Sequence, residues 1–143
     1  KVHFVTGGAF NGKSKWVREQ YQLNDLEHTW ISAYKGQEIP ELHGKKIIVL
    51  EGIEVWIKEV TRSIPADASR EKWQSLVREW IKWESKDVER KLVLIGNDIS
   101  KGIVPIAPED RLWRDATGWV YQDLVSAAAR VDVIWYGISQ KLK

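Results

Sequence analysis

Short apolar runs alternate along this chain with longer stretches in which apolar residues recur every three or four positions. The short runs are Val2-His3-Phe4-Val5-Thr6, Thr29-Trp30-Ile31-Ser32-Ala33, Lys46-Ile47-Ile48-Val49-Leu50-Glu51, Leu92-Val93-Leu94-Ile95 and Val131-Asp132-Val133-Ile134-Trp135-Tyr136. They are continuous rather than alternating and are bounded by turn residues, the pattern of strands buried on both faces in a parallel sheet. Between them the spacing predicts helices over about 13–21, about 69–86 and from about 108 onward. In the second, Trp73, Leu76, Val77, Trp80 and Ile81 form one stripe, with Ser69 as the expected N-cap and Glu71 in the first turn. The third opens on Pro108-Glu109-Asp110, a helix start signal, and carries Leu112, Ala116, Trp119, Val120 and Leu124 along one side. Trp73, Trp80 and Trp119 are expected in the core. Trp83, off the stripe, and Trp113 are the expected exposed contact residues. The pattern predicts a three-layer α/β fold with a mostly parallel central sheet, in one domain over 1–143.

The first strand runs into Gly7-Gly8-Ala9-Phe10-Asn11-Gly12-Lys13-Ser14 and then a helix. This fits G-x-x-x-x-G-K-[ST] in the setting that gives the motif meaning, a first βα turn. Glycines let successive N–H groups curl inward toward phosphate oxygens, and the helix adds its positive end. Lys13 is expected to reach the β- and γ-phosphates of ATP or GTP, and Ser14 to hold Mg²⁺. The motif predicts a P-loop nucleoside-triphosphate site; the competing expectation is a glycine-rich turn without a ligand. The partner acid should end a neighbouring apolar strand, and Glu51 does so, as a metal ligand through water or as an orienting group. The bland alternative is a cap for the next helix, and Glu54 shares either role.

Composition narrows the classes further. With 22 Lys plus Arg against 20 Asp plus Glu, the net charge is only +2, and no dense basic stripe predicts a nucleic-acid partner. The absence of cysteine excludes a disulfide framework, a thiolate zinc site and a cysteine nucleophile. No apolar run approaches the roughly 18 residues of a membrane span. Lys1-Val2-His3-Phe4 reads as the beginning of a strand rather than of a signal peptide, so the cytoplasm is the expected compartment. His3 and His28, in and before strands, are expected to be structural.

The second half carries Asn97-Asp98-Ile99-Ser100-Lys101-Gly102-Ile103-Val104-Pro105 and then Arg111-Leu112-Trp113-Arg114-Asp115-Ala116-Thr117-Gly118. Together with Val5-Thr6-Gly7-Gly8, Leu50-Glu51, Trp56, Gln122 and Gly137-Ile138, these resemble the adenosylcobinamide kinase/adenosylcobinamide-phosphate guanylyltransferase family of cobalamin assembly. That family has N-E-V-G-x-G-I-V-P followed at the same distance by R-x-F-R-D-x-x-G-x-x-N-Q. The resemblance implies two activities: phosphorylation of the aminopropanol hydroxyl of adenosylcobinamide, then transfer of GMP from GTP through a guanylylated histidine. It also implies a corrinoid partner and a homo-oligomer, possibly trimeric. The chain departs from the family between the second and third strands. Only residues 34–45 fill that interval, with no H-x-x-x-R-P, and His43 is the single alternative acceptor, in what reads as a turn. Asp98, Ser100 and Tyr121 stand where the family has glutamate, glycine and asparagine.

These readings give an adenosylcobinamide-type kinase with guanylyl transfer weak or lost. Lys13, Glu51, Arg111 and Arg114 are the expected catalytic residues, the two arginines lying three apart on one helix face. Asn97, Asp98 and Asp115 are the expected substrate or supporting residues, Asn97-Asp98 lying beyond a strand end where open α/β sheets bind ligands. The alternatives are a P-loop kinase for another small alcohol and a non-catalytic nucleotide-binding regulator or assembly factor.

Overall fold

The computed structural model describes residues 2–44, 46–100 and 107–143. The described residues form β1 (His3–Gly7), α1 (Lys13–Gln20), β2 (Thr29–Ser32), β3 (Ile47–Glu51), α2 (Ile53–Ser63), α3 (Ala66–Ser85), β4 (Lys91–Asn97), α4 (Pro108–Ala127), β5 (Arg130–Trp135) and β6 (Ile138–Lys141). One sheet has the order β2-β3-β4-β1-β5-β6, parallel except for β6, which runs antiparallel to β5. The three-layer α/β expectation therefore holds.

The side-chain alternation of the strands divides the interior into two cores. Phe4, Ile48, Leu50, Leu92, Leu94 and Val131 meet α2, α3 and α4 on one face. Val5, Ile47, Val49, Val93, Ile95 and Ile134 meet Val17 of α1 on the other. The division follows from crossover handedness. The β1-to-β2 connection moves toward one edge of the sheet, whereas the connections through α2–α3 and α4 move toward the other, so a constant hand puts them on opposite faces. The same rule places the β2–β3 connection with α2, and its Ala33, Ile39 and Leu42 pack into that core.

Several sequence expectations change. The helix expected from Ser69 begins at Ala66 behind Pro65, and Ser69 is buried inside it, its amide bonded to the Pro65 carbonyl at 2.9 Å. Proline at that boundary supplies the helix start that Ser69 was expected to cap. Trp83 is buried rather than exposed, because it sits on a flank of α3 that neighbouring segments also cover. Trp113 is half-buried against the same core and donates its indole N–H to the Glu54 carbonyl at 2.8 Å. Two elements were not foreseen, α2 as a separate helix and β6. The Gly102-Ile103-Val104-Pro105 stretch lies outside the described residues.

His3 is structural, as expected. It is buried between Asp132, 2.6 Å from Nε2, and the Tyr21 hydroxyl, 2.6 Å from Nδ1. Both partners are satisfied when Nε2–H donates to Asp132 and Tyr21 donates to Nδ1. Burial holds the His3 pKa below its usual 6.5 despite the opposing pull of Asp132, and the same burial pushes the Tyr21 phenol up to about 12. An unfolded chain therefore binds the His3 proton at higher pH than the folded one, so stability is lost as pH falls below about 6.5. Urea midpoints should decline between about pH 7.5 and about pH 5.5, and a His3→Gln variant should show a shallower decline. Equal slopes would exclude His3 as the source.

Candidate active site

The loop from Gly7 to Ser14 joins β1 to α1 and has the backbone its glycines permit. Gly7 has φ +141°, and a Cβ there would lie 2.3 Å from the Ile134 carbonyl oxygen, so only glycine lets β1 end beside β5. Gly12, at φ +85°, turns the chain into α1. The first amides of α1 and those of the loop lie together at the positive end of the helix, a backbone suited to anions.

Lys13 is buried, and its ammonium folds back to donate to the Gly8 carbonyl at 2.7 Å. Desolvation holds its pKa below the usual 10.5, and the negative charges of Glu54 and Glu51 partly restore it. Ser14 donates its hydroxyl to Glu51, whose other oxygen accepts from the Ser32 hydroxyl at 2.7 Å. Strand order brings this about: β3 and β1 both flank β4, so their C-terminal ends open on one side of the sheet. Ser14 and Glu51 thus present two hard oxygen donors, the kind a divalent cation such as Mg²⁺ accepts alongside water and phosphate. Among the described residues there is no cluster of three or more His, Cys, Asp or Glu that would suit another sort of metal site.

A cavity of about 530 Å³ stands over these groups, lined by the loop, Lys13, Ser14, Lys15, Tyr34, Glu51, Ile95 and Asn97. A slightly larger groove between residues 39–42 and α3 has none of the Gly7–Ser14 loop residues in its lining. Behind the cavity lies Glu54, for which the sequence suggests either of the roles open to Glu51. It is buried, accepts the Tyr34 hydroxyl, and accepts the Asn97 amide at 3.0 Å. Burial and the bond to Glu54 push the Tyr34 phenol well above its ordinary range. Tyr121, also raised by burial, donates to the Asn97 carbonyl at 2.7 Å. Glu54, Tyr34 and Tyr121 thereby fix the end of β4 where Asn97 meets the cavity. The pairing of residues 34 with 54 and 97 with 121 crosses the fold, and no local sequence pattern announces it.

The remaining sequence candidates lie elsewhere. Asp98 donates its amide to the Gly7 carbonyl at 2.8 Å, while its carboxylate caps the Ser100 amide at 2.8 Å. Arg114 pairs with Asp115 at 3.4 Å near the start of α4. Arg111, one turn earlier, is exposed. None of these four, nor His43, lines the cavity. His43 is exposed in the irregular chain before β3.

A family model described as cobinamide kinase/cobinamide phosphate guanyltransferase matches residues 28–142, well over half of the chain. The chain belongs to this family. It is similar to the bifunctional adenosylcobalamin biosynthesis protein CobU of Escherichia coli (strain K12), being 25% identical over 177 aligned positions that cover 97% of this chain and 98% of the relative. Those 177 positions exceed the 143 residues here, so the relative has stretches that this chain lacks. Membership assigns the chain to cobalamin biosynthesis, among enzymes that transfer groups from nucleotides. No helix among the described residues is long and apolar enough to cross a membrane.

Proposed function

We propose that this chain is a nucleoside-triphosphate-dependent kinase for the aminopropanol hydroxyl of adenosylcobinamide, with the guanylyl-transfer step weak or lost. The observation that carries the reading is the convergence of the Gly7–Ser14 loop, Lys13 and the Ser14–Glu51 pair on one cavity. Phosphoryl transfer asks for positioning and charge neutralisation more than covalent chemistry from the protein. Loop amides cradle the phosphates, and Lys13 exchanges the Gly8 carbonyl for a phosphate oxygen. Ser14 and Glu51 would hold Mg²⁺, which would supply neutralisation of the phosphate charge. Asn97 and Tyr34 line the same cavity and are the polar groups it offers to an acceptor alcohol. Arg111 and Arg114 serve a second phosphate or the corrinoid side chains, with Asp115 orienting Arg114. Asp98 supports the loop from behind. The short 34–45 interval and the absence of His43 from the cavity lining support the reading that guanylyl transfer is weak or lost. A homo-oligomer and a cytoplasmic location belong to the same reading.

The test is incubation with adenosylcobinamide, Mg²⁺ and GTP or ATP, followed by mass measurement of corrinoid and protein. A corrinoid heavier by one phosphate, with unmodified protein, is the expected result. A GMP adduct on the protein would restore guanylyl transfer, with His43 the first residue to map. Tight nucleotide binding with no phosphoryl transfer to any alcohol would make the chain a nucleotide-binding regulator instead.

A further inference from the structure

The β5–β6 hairpin turns through Tyr136-Gly137, both with positive φ (52° and 75°), between the paired residues Trp135 and Ile138. A two-residue turn with positive φ at both central positions strongly favours Asn-Gly, and a bulky aromatic at the first of them is costly. This chain nonetheless has tyrosine there, and the residue is 75% exposed, so burial in this chain does not offset the cost. Local rules broken without a packing gain mark functional positions. The location is informative too. The Gly137 amide donates to the Asn11 carbonyl of the phosphate loop at 2.8 Å, and Gly12 approaches Gly137 so closely that a Cβ on Gly12 would lie 3.4 Å from the Gly137 Cα. Tyr136 meets the exposed Trp135 edge to face, with ring centroids 5.7 Å apart, so the two rings form a corner beside the loop.

We infer that this corner is the platform on which the purine base of the nucleotide stacks, an inference that rests on the phosphate-loop reading above. The topology gives the direction. Ser14 pairs with Glu51 at the end of β3, so the metal and the terminal phosphate lie toward the β4–β3 side of β1. A triphosphate threaded through the loop therefore sends its nucleoside end the opposite way. On that side β1 is flanked by β5, and the first element met is the Tyr136-Gly137 turn. An aromatic face accepts any purine, so the corner serves ATP and GTP alike by stacking.

The decisive variant is Tyr136→Asn, since Asn-Gly is the preferred pair for this turn and the hairpin keeps its shape. Calorimetry would compare Mg²⁺-GTP, Mg²⁺-ATP and Mg²⁺-tripolyphosphate, the last having the phosphates without a base. Tyr136→Asn should weaken both nucleotides roughly ten-fold or more and leave tripolyphosphate unchanged, with Tyr136→Phe close to wild type. Nucleotide affinities equal to wild type in both Tyr136→Asn and Trp135→Ala would overturn the platform. Equal losses for nucleotides and tripolyphosphate would also overturn it, making the turn a prop for the loop. Failure of the wild-type protein to bind tripolyphosphate or nucleotides would sink the phosphate-loop reading instead, a distinguishable result.

Discussion

Lys13→Met should lower phosphoryl transfer by roughly 10²–10³-fold, the usual cost of removing a positioned cation or donor from a developing charge. It should do so without weakening the fold. In most proteins removing a buried group opens a hole or orphans a partner. Methionine fills most of the lysine stem's volume, and the Gly8 carbonyl it leaves is only partly buried. The charge itself is a liability in the folded chain, because desolvation lowers the Lys13 pKa more than Glu54 and Glu51 raise it. A lysine whose folded pKa lies below its unfolded value costs stability while charged, and the cost fades as pH rises through the folded pKa toward about 10.5. Lys13→Met should therefore be at least as stable as wild type near neutral pH, and wild type should gain on it in alkali. Denaturant unfolding at two pH values, with γ-label transfer assays, checks both halves. Near-wild-type transfer by Lys13→Met would remove the lysine from the chemistry.

The site's local parts were readable because local parts depend on neighbours in sequence. β1, the glycine loop and the start of α1 are consecutive, so one motif specified strand, turn and helix start together. Glu51 was legible by the same logic as an acid at an apolar strand's end, and it ends β3 beside Ser14. What escaped depends on residues far apart. Glu54 gains its importance from Tyr34 and from the Asn97 amide, 43 positions away, and Trp113 from a carbonyl 59 positions away. β6 escaped for a different reason. All four of its residues are exposed, so it has no apolar periodicity, and pairing with β5 alone defines it. Trp83 was misplaced because a single stripe suits a helix with one buried side. α3 packs against both β4 and α4 and is also met by residues 39–42, so its flank is covered as well.

Gly7 and Gly118 should respond in opposite ways to the same added methyl group. Gly118→Ala lies within α4, and a Cβ there has nothing within 4 Å. The substitution should raise stability by about 0.5–1 kcal/mol through helix propensity and a less flexible unfolded chain. Gly7→Ala meets two penalties at once. Alanine is strained at φ +141°, at about 1–3 kcal/mol. Its Cβ would also lie 2.3 Å from the Ile134 carbonyl oxygen, which is backbone in a central strand and cannot swing aside as a side-chain end can. Relief requires β1 and β5 to separate, adding about 1–3 kcal/mol of the kind that overpacking imposes. Together the loss is about 2–6 kcal/mol, a large part of the roughly 5–15 kcal/mol that holds a domain folded. The movement also falls on the first residue of the Gly7–Ser14 loop, whose carbonyl accepts the Asp98 amide at 2.8 Å. The fraction of Gly7→Ala that remains folded at low temperature should therefore bind tripolyphosphate poorly. Denaturant midpoints and calorimetry on the same samples measure the two effects, with Gly118→Ala as the control for a methyl added in open space. Wild-type stability in Gly7→Ala would mean that the β1–β5 junction yields easily, and that the loop's geometry is set elsewhere.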